Sequence, residues 1–167
     1  MSGSFIFYFH LLGFGLITTA VVAGWFLNLR FTAAQDPDIR ISVGSMMRTI
    51  AILSPLAAFL LLATGIGNIL NLYYETPVVW YQQGWLVIKI VLFGVMLVNG
   101  TVFGPLMSRK RMHIVRNLAE NTGTEEDEKN LKYLNKQMNW FFTVQSVLLL
   151  GIVFFSAFGT SKHPGYF

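Results

Sequence analysis

Apolar residues crowd four stretches of the chain, Phe5 to Phe31, Thr49 to Leu72, Trp85 to Met107 and Trp140 to Thr160, and polar residues collect between them. A bilayer hydrocarbon core is about 30 Å thick and takes roughly 20 apolar residues per helix. The pattern therefore predicts four membrane-spanning helices, 5–31, 49–72, 85–107 and 140–160. They fill residues 1–167 as a single transmembrane domain and leave no room for a second one. The first stretch lacks a basic leader and is longer than the apolar part of a cleavable signal, so it is expected to remain as helix one.

Local signals place the helix ends. Asp36-Pro37 puts a capping carboxylate before a proline at the first helical position, where its missing N–H costs nothing. Helix two should therefore start several residues before it enters lipid. Ser54-Pro55 predicts a kink in that helix, and Thr76-Pro77 a short interfacial turn. Helix three is expected to run past Met107 through Leu118, because Met112, Val115 and Leu118 recur at helical spacing until the breaker Asn121-Thr122-Gly123. Thr124 then caps helix four. Glu125, Glu126, Asp127 and Glu128 follow in its first turn, where the helix dipole favours negative charge. The expected fold is all-α: an integral membrane four-helix bundle with helices 2, 3 and 4 extended into the cytoplasm.

Charge supplies an orientation. Lys and Arg number 12 against 8 Asp and Glu, for a net charge of +4, while only 12% of residues are charged. Arg30, Arg40 and Arg48 flank the first connection, and Arg109, Lys110, Arg111, Arg116, Lys129, Lys132 and Lys136 crowd the third. By the positive-inside rule these connections are cytoplasmic, so a location in the cell inner membrane follows, with both termini outside, in the periplasm. Trp80, Tyr81 and Trp85, with Tyr73 and Tyr74, then form an outer aromatic belt. A basic, greasy chain suits anionic lipid and not nucleic acid. With no cysteine, thiolate catalysis, zinc ribbons, iron–sulfur clusters and disulfides are excluded.

Ionisable groups inside hydrocarbon are costly and call for a functional reason. His10 and Lys89 are the two candidates. Each lies about five residues below the outer end of helices that run the same way, or about 7 Å deep. Lys89 alone can snorkel to the headgroups, and His10 alone can hydrogen-bond across helices. Taken together, an imidazole and a neutral amine can bracket a flat metal cofactor. No Asp or Glu lies within a span, which disfavours ion-coupled transport. Asn99 and Gln145 are expected to form interhelical hydrogen bonds. Asn68 and Asn71, close to the His10/Lys89 depth, either orient a cofactor or cap helix two. His113 and His163 read as solvated side chains. Gly100-Thr-Val-Phe-Gly104 permits close helix approach.

Phe9-His10-Leu-Leu-Gly13, Val22-Ala-Gly-Trp-Phe26 and Leu29-Arg30-Phe31 together resemble the first helix of the HemJ-type membrane protoporphyrinogen oxidases and their CopD-like relatives. Arg48 ahead of Ser54-Pro55 and Thr64-Gly65 resembles their second helix. Gly84-Trp85-Leu-Val-Ile-Lys89 resembles the opening of the third, and Tyr133-Leu134-Asn135 the start of the fourth. The resemblance implies a metal site in which His10 and Lys89 ligate one haem b, and an oxidoreductase or other haem-linked role, with the catalytic residues unassigned. The alternative is a non-catalytic membrane subunit or scaffold that binds larger membrane proteins or forms a homo-oligomer. The GxxxG segment and fifteen phenylalanines support that second reading.

Overall fold

The computed structural model describes residues 2–73 and 80–162. Glu75, the Thr76-Pro77 turn, Tyr74 and His163 lie outside the described residues, as does the side chain of Tyr73. The architecture is an all-α four-helix bundle. Its first rod is α1 (Ser2–Ala33). The second is α2 (Pro37–Ala51) followed by α3 (Leu53–Tyr73). A short 3₁₀ turn (Trp80–Gln82) leads into the third rod, α4 (Gly84–Val98), a π turn (Asn99–Phe103) and α5 (Gly104–Ala119). The fourth is α6 (Glu125–Lys162).

Each boundary has a local cause. The Asp36 carboxylate accepts from the Asp38 N–H at 2.8 Å, with Pro37 in the first turn behind it. The second rod breaks at Ile52, three residues before Pro55, whose ring has no N–H to give and crowds the carbonyl four residues back. In the third rod Pro105 has the same defect. Here the helix answers by widening one turn, so that the Gly104 N–H reaches the Asn99 carbonyl; single π turns of this kind are the usual accommodation. α5 stops where Asn121 takes a positive φ of 55°, and the Asn121 and Thr122 N–H groups fold back onto the Leu118 and Asn117 carbonyls. That is a Schellman end, which asparagine tolerates better than most residues. Thr124 and Asp127 then cap each other's backbone N–H groups at 3.2 and 3.0 Å and start α6.

Among the described residues four helical segments are long and apolar enough to cross a membrane, and at most 22% of each apolar window is buried inside the protein. Phe26, Phe59, Trp140 and Phe154 expose most of their surface. Water would not tolerate that distribution; lipid requires it. The 38 residues of α6 span about 57 Å, well beyond a hydrocarbon core.

The rods pack α1 on α2, α3 and α6, with α4 and α5 on α6 and α2 on α5. Among the described residues α3 and α4 do not pack along each other, so the second and third rods meet at the charged end and part at the other. One apolar cluster joins Ile17 and Val21 to Ala57, Leu61, Met96 and Leu149. A second, at the charged end, joins Phe31 and Val43 to Ile114, Val115, Leu131 and Leu134. A layer of polar side chains separates the two.

Candidate functional site

His10 lies on the half-buried side of α1, one turn before Gly13. A side chain at Gly13 would sit 3.1 Å from the Leu60 and Leu61 side chains, so the missing Cβ lets α1 and α3 close up at this height. The imidazole then meets Thr64, with Nδ1 2.8 Å from the hydroxyl oxygen. The Thr64 hydroxyl spends its proton on the Leu60 carbonyl one turn back. A hydroxyl has one proton and two lone pairs, so the network assigns the His10 proton to Nδ1, donating to Thr64. The neutral ring then carries its lone pair on Nε2. Beside it, Gly65 presents no side chain, and a Cβ there would lie 3.8 Å from His10 Cε1.

Lys89 is half-buried on α4, its ammonium 5.3 Å from the centre of the Trp85 ring, within cation–π range. The Trp85 ring is wedged against α6, where a Cβ at Gly159 would fall 2.5 Å from it. Its indole Nε1 is buried without a hydrogen-bond partner. Trp85 is thus a packing wedge as much as a member of an aromatic belt, while Trp80 and Tyr81 are exposed.

Heights follow from the core. His10 lies two turns before Ile17, and Lys89 two turns before Met96; Ile17 and Met96 share one apolar cluster. Since α1 and α4 run the same way, both side chains stand about 10 Å beyond that cluster. α1 and α4 both pack on α6. Asn68 is half-buried one turn beyond Thr64, and Asn71 is exposed. Thr64 is the partner that reading residues one at a time passes over: a hydroxyl in a largely apolar helix, 54 residues from His10.

The polar layer is a second constellation. Asn28, with 0% exposure, accepts from Arg111 Nη1 at 2.8 Å and donates to the Asn139 side chain. Arg111 is 2% exposed, its guanidinium carbon 4.0 Å from the Phe31 ring centre. This corrects the expectation that Arg111 is one of the solvated loop charges. It stands one turn before Ile114 and Val115, so helical periodicity carries it to the buried face. His113, on the other face, is exposed as expected.

Gln145 donates to the Met96 carbonyl at 3.3 Å, an interhelical bond at the π turn, whereas Asn99 Nδ2 is buried without a partner. The GxxxG segment is used inside the chain. A Cβ at Gly100 would meet Gln145 Nε2 at 2.9 Å, and one at Gly104 would meet the Phe141 ring at 2.9 Å. The two glycines seat the third rod on α6.

Among the described residues no group of three or more His, Cys, Asp or Glu converges to hold a metal ion. His10 and Lys89 are two donors, the number an iron needs from protein when a macrocycle fills its equator. Compared with protein-family models, curated proteins and solved structures, the chain matches none.

Proposed function

We propose that this protein binds one haem b, which His10 Nε2 and Lys89 Nζ would hold, in a redox or haem-linked role. The observation that carries the reading is the Thr64 hydroxyl, which holds the His10 proton on Nδ1 and so leaves the ring's lone pair on Nε2. Ligating histidines ordinarily have their other nitrogen held in this way, which sets the tautomer and raises ligand basicity. The common height of the two donors, the parting of α3 from α4 and the bare Gly65 add room and registration. Asn68 is placed to orient a polar edge of the macrocycle, and exposed Asn71 contributes less.

Bound haem supplies a one-electron iron couple. Held by both residues, such a group would serve electron transfer. In this chain Thr64 holds the His10 ring, and Lys89 ligates after giving up its proton. The resemblance of all four helices to HemJ-type proteins points the same way. By the positive-inside rule the charged end is cytoplasmic, the His10/Lys89 end faces the outer leaflet, and both termini are periplasmic.

The scaffold reading loses one of its two supports, because the GxxxG face is occupied by α6, and keeps the other in exposed phenylalanines such as Phe59 and Phe154. Porphyrinogen oxidation is not part of the proposal, since Val98-Asn99-Gly100 stands where HemJ-type enzymes have Tyr and His. The test is a visible spectrum of protein purified from haem-replete cells, before and after dithionite. A b-type spectrum that His10→Ala abolishes and Lys89→Met changes is expected. Colourless protein that takes up no added haem overturns the reading.

A further inference from the structure

Arg111 is out of balance with its surroundings. Arginine does not shed its proton in proteins, so its charge persists in the interior and demands compensation. What it meets is one neutral amide oxygen, from Asn28, and the face of Phe31. Nε and Nη2 are buried and have no hydrogen-bond partner. These two nitrogens form one edge of the guanidinium, the side-on fork that grips two oxygens of a carboxylate or phosphate.

A second cation aggravates the imbalance. Arg40 of α2 is half-buried and donates through Nε to the Ala34 carbonyl at 2.8 Å, one turn along α1 from the Phe31 ring that Arg111 covers. Two guanidinium groups so placed repel each other unless an anion lies between them. At the seam between α2 and α5 the Met112 side chain lies directly against Gly44. Gly44 is one turn from Arg40, and Met112 is next to Arg111. A methionine is the most adaptable of apolar side chains, and a glycine offers it no interlocking side chain.

We propose that Arg40 and Arg111 form an oxyanion site that takes a phosphate group, admitted through the α2–α5 seam when the Met112 side chain swings off Gly44. The Nε/Nη2 edge of Arg111 grips two oxygens, and Arg40 closes over the others from the seam. The site lies about 27 Å along α1 from His10, at the far end of the bundle, and stands independently of any haem. At that height exposed Arg30, Arg48, Arg109 and Lys110 surround the bundle, so phosphate concentrates there, whether as lipid headgroups or as the free ion.

The experiment uses the full chain in neutral detergent at fixed ionic strength. Thermal unfolding is followed against inorganic phosphate, phosphatidylglycerol, and a diacylglycerol of the same acyl chains without phosphate. Native mass spectrometry counts the phosphatidylglycerol retained. Phosphate or phosphatidylglycerol is expected to raise the melting temperature where chloride and diacylglycerol do not. Response to inorganic phosphate identifies the free ion as sufficient, and response to phosphatidylglycerol alone identifies the headgroup. Arg40→Gln, at a half-buried position, folds and binds about tenfold or more weakly, the loss of a charged hydrogen bond; Arg111→Met does not respond. If neither phosphate source stabilises the wild-type chain beyond chloride, or Arg40→Gln responds as the wild type does, the site does not exist.

Discussion

Replacing Asn28 by alanine strands two partners at once. Its amide oxygen accepts from Arg111 and its amide nitrogen donates to Asn139, and the residue has no exposed surface through which water could substitute. A hydrogen bond to a charged group contributes about 1.5–3 kcal/mol and a neutral one about 1 kcal/mol. Asn28→Ala is therefore expected to cost about 2.5–4 kcal/mol. For a chain of this size that lowers the melting temperature by roughly 5 to 16 °C, read by circular dichroism in neutral detergent. Asn28→Asp separates charge from geometry. It keeps an acceptor for Arg111, adds the missing negative charge and gives up the donor to Asn139. The paired change Asn28→Leu with Arg111→Met removes the charged pair whole, leaves only Asn139 without its partner, and should recover the larger part of the loss. An Asn28→Ala protein melting within 1 or 2 °C of wild type refutes the reasoning, as does a double variant no more stable than the single one.

Thr64→Val removes the acceptor for His10 Nδ1–H with little change of shape. It should weaken haem about 10- to 100-fold, the usual effect of losing such a support, while Thr64→Ser weakens it less; absorbance titration of apoprotein measures both, and equal affinity for Val and Thr removes Thr64 from the site. Both proposed ligands bind as free bases, so protons compete with iron: haem retention should be fullest at high pH and fall as pH is lowered. Lys89→Met should shift that loss and change the spectrum, and an unaltered spectrum and pH profile mean that Lys89 is not a ligand. Gly104→Ala drives a methyl into the Phe141 ring and should cost about 1–3 kcal/mol, relieved when Phe141 is shortened to leucine; thermal unfolding of the three variants decides it.

The features legible in the sequence are those governed by neighbours in the chain. Asp36-Pro37, Ser54-Pro55 and Thr124 with its acidic turn each act within four residues, and the caps, the break at Ile52 and the extended third and fourth rods fall where those signals put them. The shared depth of His10 and Lys89 was legible too, because helix rise converts residue number into height. What was hidden depends on partners far apart in sequence: Thr64 for His10, and Asn28 for Arg111 across 83 residues and for Asn139 across 111. Arg111 is the instructive case. Counting charges sends every arginine to the surface, whereas its spacing to Ile114 and Val115 sends this one inward. Pro105 announces a disturbance in the third rod, but only the packing of Gly100 and Gly104 on α6 explains why the helix widens there and does not stop.

That widened turn sets the phase of the whole third rod. Each residue added to or taken from a helix swings everything beyond it by about 100°, and the π turn at Asn99–Phe103 holds one residue more than regular winding would use. Excising a single residue there would keep Lys89 on its bearing while rotating Arg111 out towards lipid and a neighbouring surface in. One surplus amino acid thus keeps two distant chemistries, an amine at one end and a guanidinium at the other, aimed at the same axis.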